Sequence, residues 1–105
     1  MEKIIKKTME ISEKANININ TNIIMLDLIS ETGELSKEIL KKSDYGKKNI
    51  NQNEIDNNMK LELGDVLFSL ILLSKSLNVN LEEAFNLSIK KYEDRLNQKG
   101  RISSN

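Results

Sequence analysis

Glu62-Leu63-Gly64-Asp65-Val66-Leu67-Phe68-Ser69-Leu70-Ile71-Leu72-Leu73 is the most apolar stretch of the chain, and two carboxylates open it. Residues 66–73 are apolar nearly all round a helix, which predicts a central, buried helix. The run is broken by Ser69 and is too short to span a bilayer. The helix that contains it is expected from near residue 54 to about residue 77. Asn78 to Asn80 then makes a turn, and Asn80 with Glu83 three residues on opens a last helix from Leu81 to about Gln98. Gly100 ends that helix, and residues 101–105 form a frayed tail.

Upstream, apolar spacing predicts two further helices. One covers residues 2–15, with Ile4, Ile5, Met9 and either Ile11 or Ser12 on one face. An Asn-rich break follows at 16–22. The second starts at a Thr21 or Asn22 cap, carries Ile24, Leu28, Leu35 and Ile39, and ends near Lys42 with basic residues that suit the helix dipole. Residues 43–53 are polar, contain Gly46 and read as a loop. Proline is absent and only four glycines occur, which favours helix throughout. The 105 residues make one domain, all-α, with four to five helices. A chain this short buries little surface alone, and a shared oligomeric core would relieve the shortage.

Composition narrows the chemistry. Sixteen basic and sixteen acidic residues cancel, so no global field draws nucleic acid. No basic patch is interleaved with aromatics, and no strongly basic amphipathic helix suggests a membrane surface. The absence of a leader-like or spanning segment reads as a soluble, cytoplasmic protein. Cysteine and histidine are both absent, which removes disulfides, thiolate chemistry, the usual zinc sites and the commonest general base. The remaining vocabulary suits a hard cation with oxygen ligands, magnesium above all.

Two segments echo each other. Glu31-Thr32-Gly33-Glu34-Leu35 and Glu62-Leu63-Gly64-Asp65-Val66 each place carboxylates at i and i+3 around a glycine. That spacing puts each pair on one helical face. A mid-helix glycine costs about 1 kcal/mol relative to alanine, so two of them need a reason. The simplest is close approach of the two helices. Packed antiparallel, these helices would converge four carboxylates, a conflict that a divalent cation resolves. One such pair alone is ordinarily a solvated face, and matched pairs beside apolar residues weigh against that. A di-iron bundle is excluded because its Glu-x-x-His element has no histidine here. Glu38, one turn beyond Glu34, fits either this site or an ion pair with Lys41 or Lys42.

These residues resemble the MazG-type family of all-α nucleoside triphosphate pyrophosphohydrolases, in its dUTPase- and dCTPase-like branch. Residues 28–35 look like the family's first metal helix and 62–68 like its second. Residues 77–85 are similar to its entry into the last helix, and Lys91-Tyr92-Glu93-Asp94-Arg95 to its Lys-aromatic-x-x-Arg element. The likeness covers about residues 22–100. Ser30 stands where many members have a further glutamate, and Ile89 where several have asparagine. The resemblance implies a helical bundle completed by a homodimer or homotetramer. It also implies Mg2+, with Mn2+ as a substitute, held by Glu31, Glu34, Glu62 and Asp65 as metal and catalytic residues. The implied reaction takes a (d)NTP to (d)NMP and pyrophosphate, in upkeep of the nucleotide pool. Lys91 and Arg95 suit the substrate phosphates, and they also fit a plain solvated face. Tyr92 reads as a packing residue. Two alternatives stay open: a phosphoribosyl-ATP pyrophosphohydrolase, and a non-catalytic assembly module with a structural cation site.

Overall fold

Four α-helices and no strand make up residues 1–104, the part that the computed structural model describes. They are α1 (Glu2–Lys14), α2 (Thr21–Lys42), α3 (Asn57–Ser76) and α4 (Leu81–Lys99). A short 3-10 turn, Gln52–Glu54, precedes α3. Asn105, in the expected tail, lies outside the described residues.

Side-chain caps set the helix starts. Asn20, not Thr21 or Asn22, caps α2 and accepts from the backbone N–H groups of Asn22 and Ile23 at 3.0 and 3.3 Å. Helix α3 begins three residues later than the sequence suggests. Asp56 caps it by accepting from the Met59 N–H at 3.0 Å. Glu54 is used elsewhere: it accepts from Lys48 and from the Asn51 N–H, closing the 3-10 turn. Asn80 caps α4 through the Glu83 N–H. The helix ends share a device as well. After α1, α2 and α3 the chain turns through left-handed Asn16, Asp44 and Asn78. In each turn an N–H reaches back five residues, Ile17 to Ser12, Tyr45 to Leu40 and Val79 to Ser74. Short polar side chains replace glycine at these three positions. Glycine does serve at the end of α4, where Gly100 has φ +72°.

Helix α3 is central, as its apolar second half predicts: both α2 and α1 pack on it. Its core is small. Ile24 of α2 and Met59, Ile71 and Leu72 of α3 are the buried large hydrophobics among the described residues. Helix α1 meets α3 through small residues. Thr8 and Ser12 are its buried positions, and each hydroxyl donates to a carbonyl of its own helix. Of the two readings of the α1 face, the one through Ser12 holds, and Ile4 and Ile11 point to solvent.

The four helices do not close into a bundle within one chain. Helix α4 packs on no other helix beyond marginal contact, and none of its residues is buried. The radius of gyration is 16.8 Å, against about 13 Å for a compact domain of this length.

Candidate metal centre

The seam between α2 and α3 positions the acidic residues. On α2 the positions turned inward are Ile24, Leu28, Glu31, Leu35, Glu38 and Lys42, all buried or half-buried. Their alternating spacing of four and three residues is that of two helices lying side by side. The facing stripe on α3 is Met59, Glu62, Val66, Ser69 and Leu73, also buried or half-buried. Ile39, expected on the inner face of α2, is 40% exposed instead. The inner stripe passes from apolar to charged at Glu31 and continues through Glu38 and Lys42.

Lys42 fixes the loop end of the hairpin. Its ammonium donates to Asp56 and to the Glu54 carbonyl, both at 2.7 Å. Lys42 is thus engaged away from Glu38, and among the described residues no ion pair joins Glu38 to Lys41. Lys48 bridges Glu54 at 2.9 Å across the same loop. These two links tie the end of α2 to the start of α3, and hold the helices antiparallel and in register.

That register brings three carboxylates together. Oxygens of Glu31, Glu62 and Asp65 all lie within 4.8 Å of one another. Glu31 and Glu62 are half-buried in the seam, and Asp65 is exposed at its edge. Glu34 is outside this trio and exposed, on the flank of α2. It is near enough to act on the site electrically. Partial burial pushes the Glu62 carboxyl above its ordinary value, and the charges of Glu34, Asp65, Glu31 and Glu38 push the same way. No ion pair neutralises the trio among the described residues. Hard oxygen donors at this separation, with no nitrogen or sulfur ligand in the chain, fit a divalent cation such as magnesium.

The helical glycines do not serve the approach of α2 to α3. A Cβ added at Gly33 or at Gly64 would meet nothing within 4 Å. The reason is angular: at 100° per residue, a glycine two positions from a seam-facing glutamate points away from the seam.

Helix α4 carries Lys91, Tyr92 and Arg95 apart from the acidic seam. Lys91 Nζ sits 4.5 Å from the centre of the Tyr92 ring, and the Arg95 guanidinium 6.0 Å from it. Arg95 also donates to the Ile102 carbonyl at 3.1 Å, folding the tail onto the helix end. Tyr92 is half-buried beneath these cations, a packing role. Within one chain no ion pair joins Lys91 or Arg95 to the acidic trio. Sequence reasoning overlooked Asp56 and Glu54 as the clamp of this hairpin. The available signal was Asp56 itself, a capping residue directly before the helix pattern resumes.

Comparison with known proteins agrees with this arrangement. Residues 20–99 match the family model of the MazG nucleotide pyrophosphohydrolase domain. A relative that is 40% identical over 72 residues is the uncharacterized protein YpjD of Bacillus subtilis (strain 168). That alignment takes in 69% of this chain and 63% of YpjD, so the chain spans under two thirds of the relative's length. No solved structure matches. The family match runs from the cap of α2 to the end of α4 and includes every acidic residue of the seam: the chain belongs to the MazG nucleotide pyrophosphohydrolase family.

Proposed function

We propose that this chain is a magnesium-dependent pyrophosphohydrolase that cleaves a (d)NTP to (d)NMP and pyrophosphate. The observation that carries the reading is the convergence of Glu31, Glu62 and Asp65 to within 4.8 Å across the seam. Half-buried carboxylates facing one another are unfavourable unless a cation or a proton compensates them. Here they would hold Mg2+, with Mn2+ as a substitute, and Glu34 would join from the flank. The bound ion would neutralise phosphate charge and lower the pKa of a water. The chain's own part is positional. The Lys42 and Lys48 clamps keep α2 and α3 in register, so the carboxylates are set before substrate arrives. Glu34, exposed beside the trio, or Glu31 within it would accept a proton from an attacking water. Hydrolysis of this kind needs positioning and charge neutralisation more than covalent chemistry.

Lys91 and Arg95 keep a phosphate-binding role in this reading only where assembly brings an α4 to an acidic seam. The reading therefore includes a homodimer or homotetramer. It places the enzyme in the cytoplasm, where nucleoside triphosphates are held. No helix of the described residues is long and apolar enough to cross a membrane.

The test is pyrophosphate release from a panel of canonical and modified (d)NTPs, with Mg2+, Mn2+ or EDTA, by wild type and Asp65→Ala. Metal-dependent release by the wild type, lost in a folded Asp65→Ala, is the expected result. Release from phosphoribosyl-ATP alone would move the assignment to that substrate. No release from any of them, with loss of assembly in Asp65→Ala, would replace the enzyme with a structural cation site.

A further inference from the structure

Packing within the chain does not explain Gly64. It weakens its helix, and a Cβ in its place would meet nothing within 4 Å. Its bare backbone forms the floor of an open groove along α3, about 400 Å³ in volume and within the range of small-ligand clefts. Asn57, Lys60, Leu61 and Asp65 line the rest. Asp65 is the exposed member of the carboxylate trio, so the groove begins at the candidate metal centre and runs toward the start of α3.

Lys60 is the cation of this groove. Among the described residues its ammonium makes no ion pair, unlike Lys42 and Lys48 in the neighbouring loop. Lys60 and Asp65 stand about 7.5 Å apart along the helix axis, and at 100° per residue Gly64 lies between them around it. Lys91 and Arg95 belong to α4, which packs on no other helix beyond marginal contact. Within one chain Lys60 is thus the lysine that shares a groove with the trio.

We propose that Lys60 binds the phosphate chain of the substrate, laid over the bare backbone of Gly64 between the metal held at Asp65 and the lysine ammonium. The ligand class is a linear polyphosphate carrying a nucleoside. Charge calls for such a cation. Glu31, Glu34, Glu62 and Asp65 bring four carboxyl groups, and a divalent ion alone leaves their field negative. A polyphosphate entering beside them is repelled unless a further cation lies along its path. Gly64 then has a purpose, because phosphate oxygens approach a helix backbone closely only where no Cβ stands out. Leu61, 64% exposed, offers an apolar wall to the sugar carbons. The assignment deepens the pyrophosphohydrolase reading and rests on it. It gives each chain a substrate-binding residue beside its own metal centre.

Mg2+ and inorganic tripolyphosphate are the probes, read by isothermal titration calorimetry on the full chain, because neither requires a known base. Wild type, Lys60→Gln, Lys60→Arg and Gly64→Ala are compared. Lys75→Gln, at an exposed lysine near the end of the same helix, controls for overall charge. With Mg2+ present, Lys60→Gln should bind tripolyphosphate about tenfold or more weaker, the loss of a charge-assisted contact, and Lys60→Arg should recover most of it. Mg2+ alone should bind Lys60→Gln at least as tightly as wild type, since a nearby positive charge has been removed. Gly64→Ala should bind tripolyphosphate more weakly while its Tm rises, a combination that a purely structural glycine does not give. In turnover, Lys60→Gln should raise KM with little change in kcat, as uniform binding requires. Equal tripolyphosphate affinity and equal KM in wild type and Lys60→Gln would overturn this proposal and leave the pyrophosphohydrolase reading standing. So would a loss in Lys75→Gln as large as that in Lys60→Gln, or weakened Mg2+ binding in Lys60→Gln. A wild type that binds Mg2+ but neither binds tripolyphosphate nor turns over any (d)NTP would overturn both.

Discussion

Replacing Gly64 or Gly33 by alanine should stabilise the chain. Both glycines lie inside helices, and neither has a positive φ. A helix-interior glycine costs about 0.5–1 kcal/mol relative to alanine, mostly through the greater freedom of the unfolded chain. A Cβ at either position meets nothing within 4 Å, so no clash within the chain offsets that gain. The groove over Gly64 is lined by Asn57, Lys60, Leu61 and Asp65. For Gly64→Ala the full gain should therefore appear, a rise in Tm of roughly 2–8 °C for a domain of this size. For Gly33→Ala the same gain is expected, since the space over it is equally open. The assay is thermal unfolding by circular dichroism at two protein concentrations well apart, with sedimentation to report mass. A fall in Tm for Gly64→Ala would refute the open groove. A fall in Tm for Gly33→Ala would likewise refute the open space over that residue.

Other perturbations test other parts of the argument. Ile71 is fully buried in a small core, so Ile71→Ala should cost about 2–5 kcal/mol by denaturant unfolding, a large share of the stability of such a chain. Asn80→Ala removes the cap of a helix that little else supports, and should cost about 1 kcal/mol, seen as lost helical ellipticity. Acid titration should show two opposed effects. Lys48 holds the Glu54 carboxyl below its ordinary value, and Lys42 does the same for Asp56. These links stabilise fully above the unfolded carboxylate range, and are lost as pH falls through the lowered folded values. Glu62 runs the other way: its raised carboxyl costs stability when ionised, and that cost lifts as pH falls into the ordinary range. The metal-free chain should thus be most stable in mild acid, and Asp56→Asn should weaken the acid-side decline in urea midpoint. Glu62→Gln should stabilise the metal-free chain at neutral pH while weakening divalent-cation binding by calorimetry. Weaker stability of the metal-free Glu62→Gln chain would show that the carboxylates do not repel as their spacing implies.

Helix identity was legible because the apolar period, the basic last turn of α2 and the Asn80 cap of α4 agreed. The acidic pairs were legible for a related reason: i and i+3 spacing is a property of one helix. What failed were statements about which face meets which neighbour. Ile39 and Ile4 look like core residues on a helical wheel, yet both are exposed, and the buried or half-buried positions run through Leu35 and through Thr8 and Ser12 instead. The start of α3 was placed too early because Glu54 is a good helix former, and its recruitment by Lys48 and Asn51 is a tertiary event.

The sequence by itself determined four helices, their breaks, and the acidic residues among which a cation would be held. It could do so because local spacing and capping are encoded within a few residues. Only the tertiary structure decided which carboxylates meet. Antiparallel packing in the register held by Lys42 and Asp56 gathers Glu31, Glu62 and Asp65, leaves Glu34 on the flank, and turns both helical glycines outward. The relative rotation of two helices depends on every side chain in the seam at once, and no short motif records it.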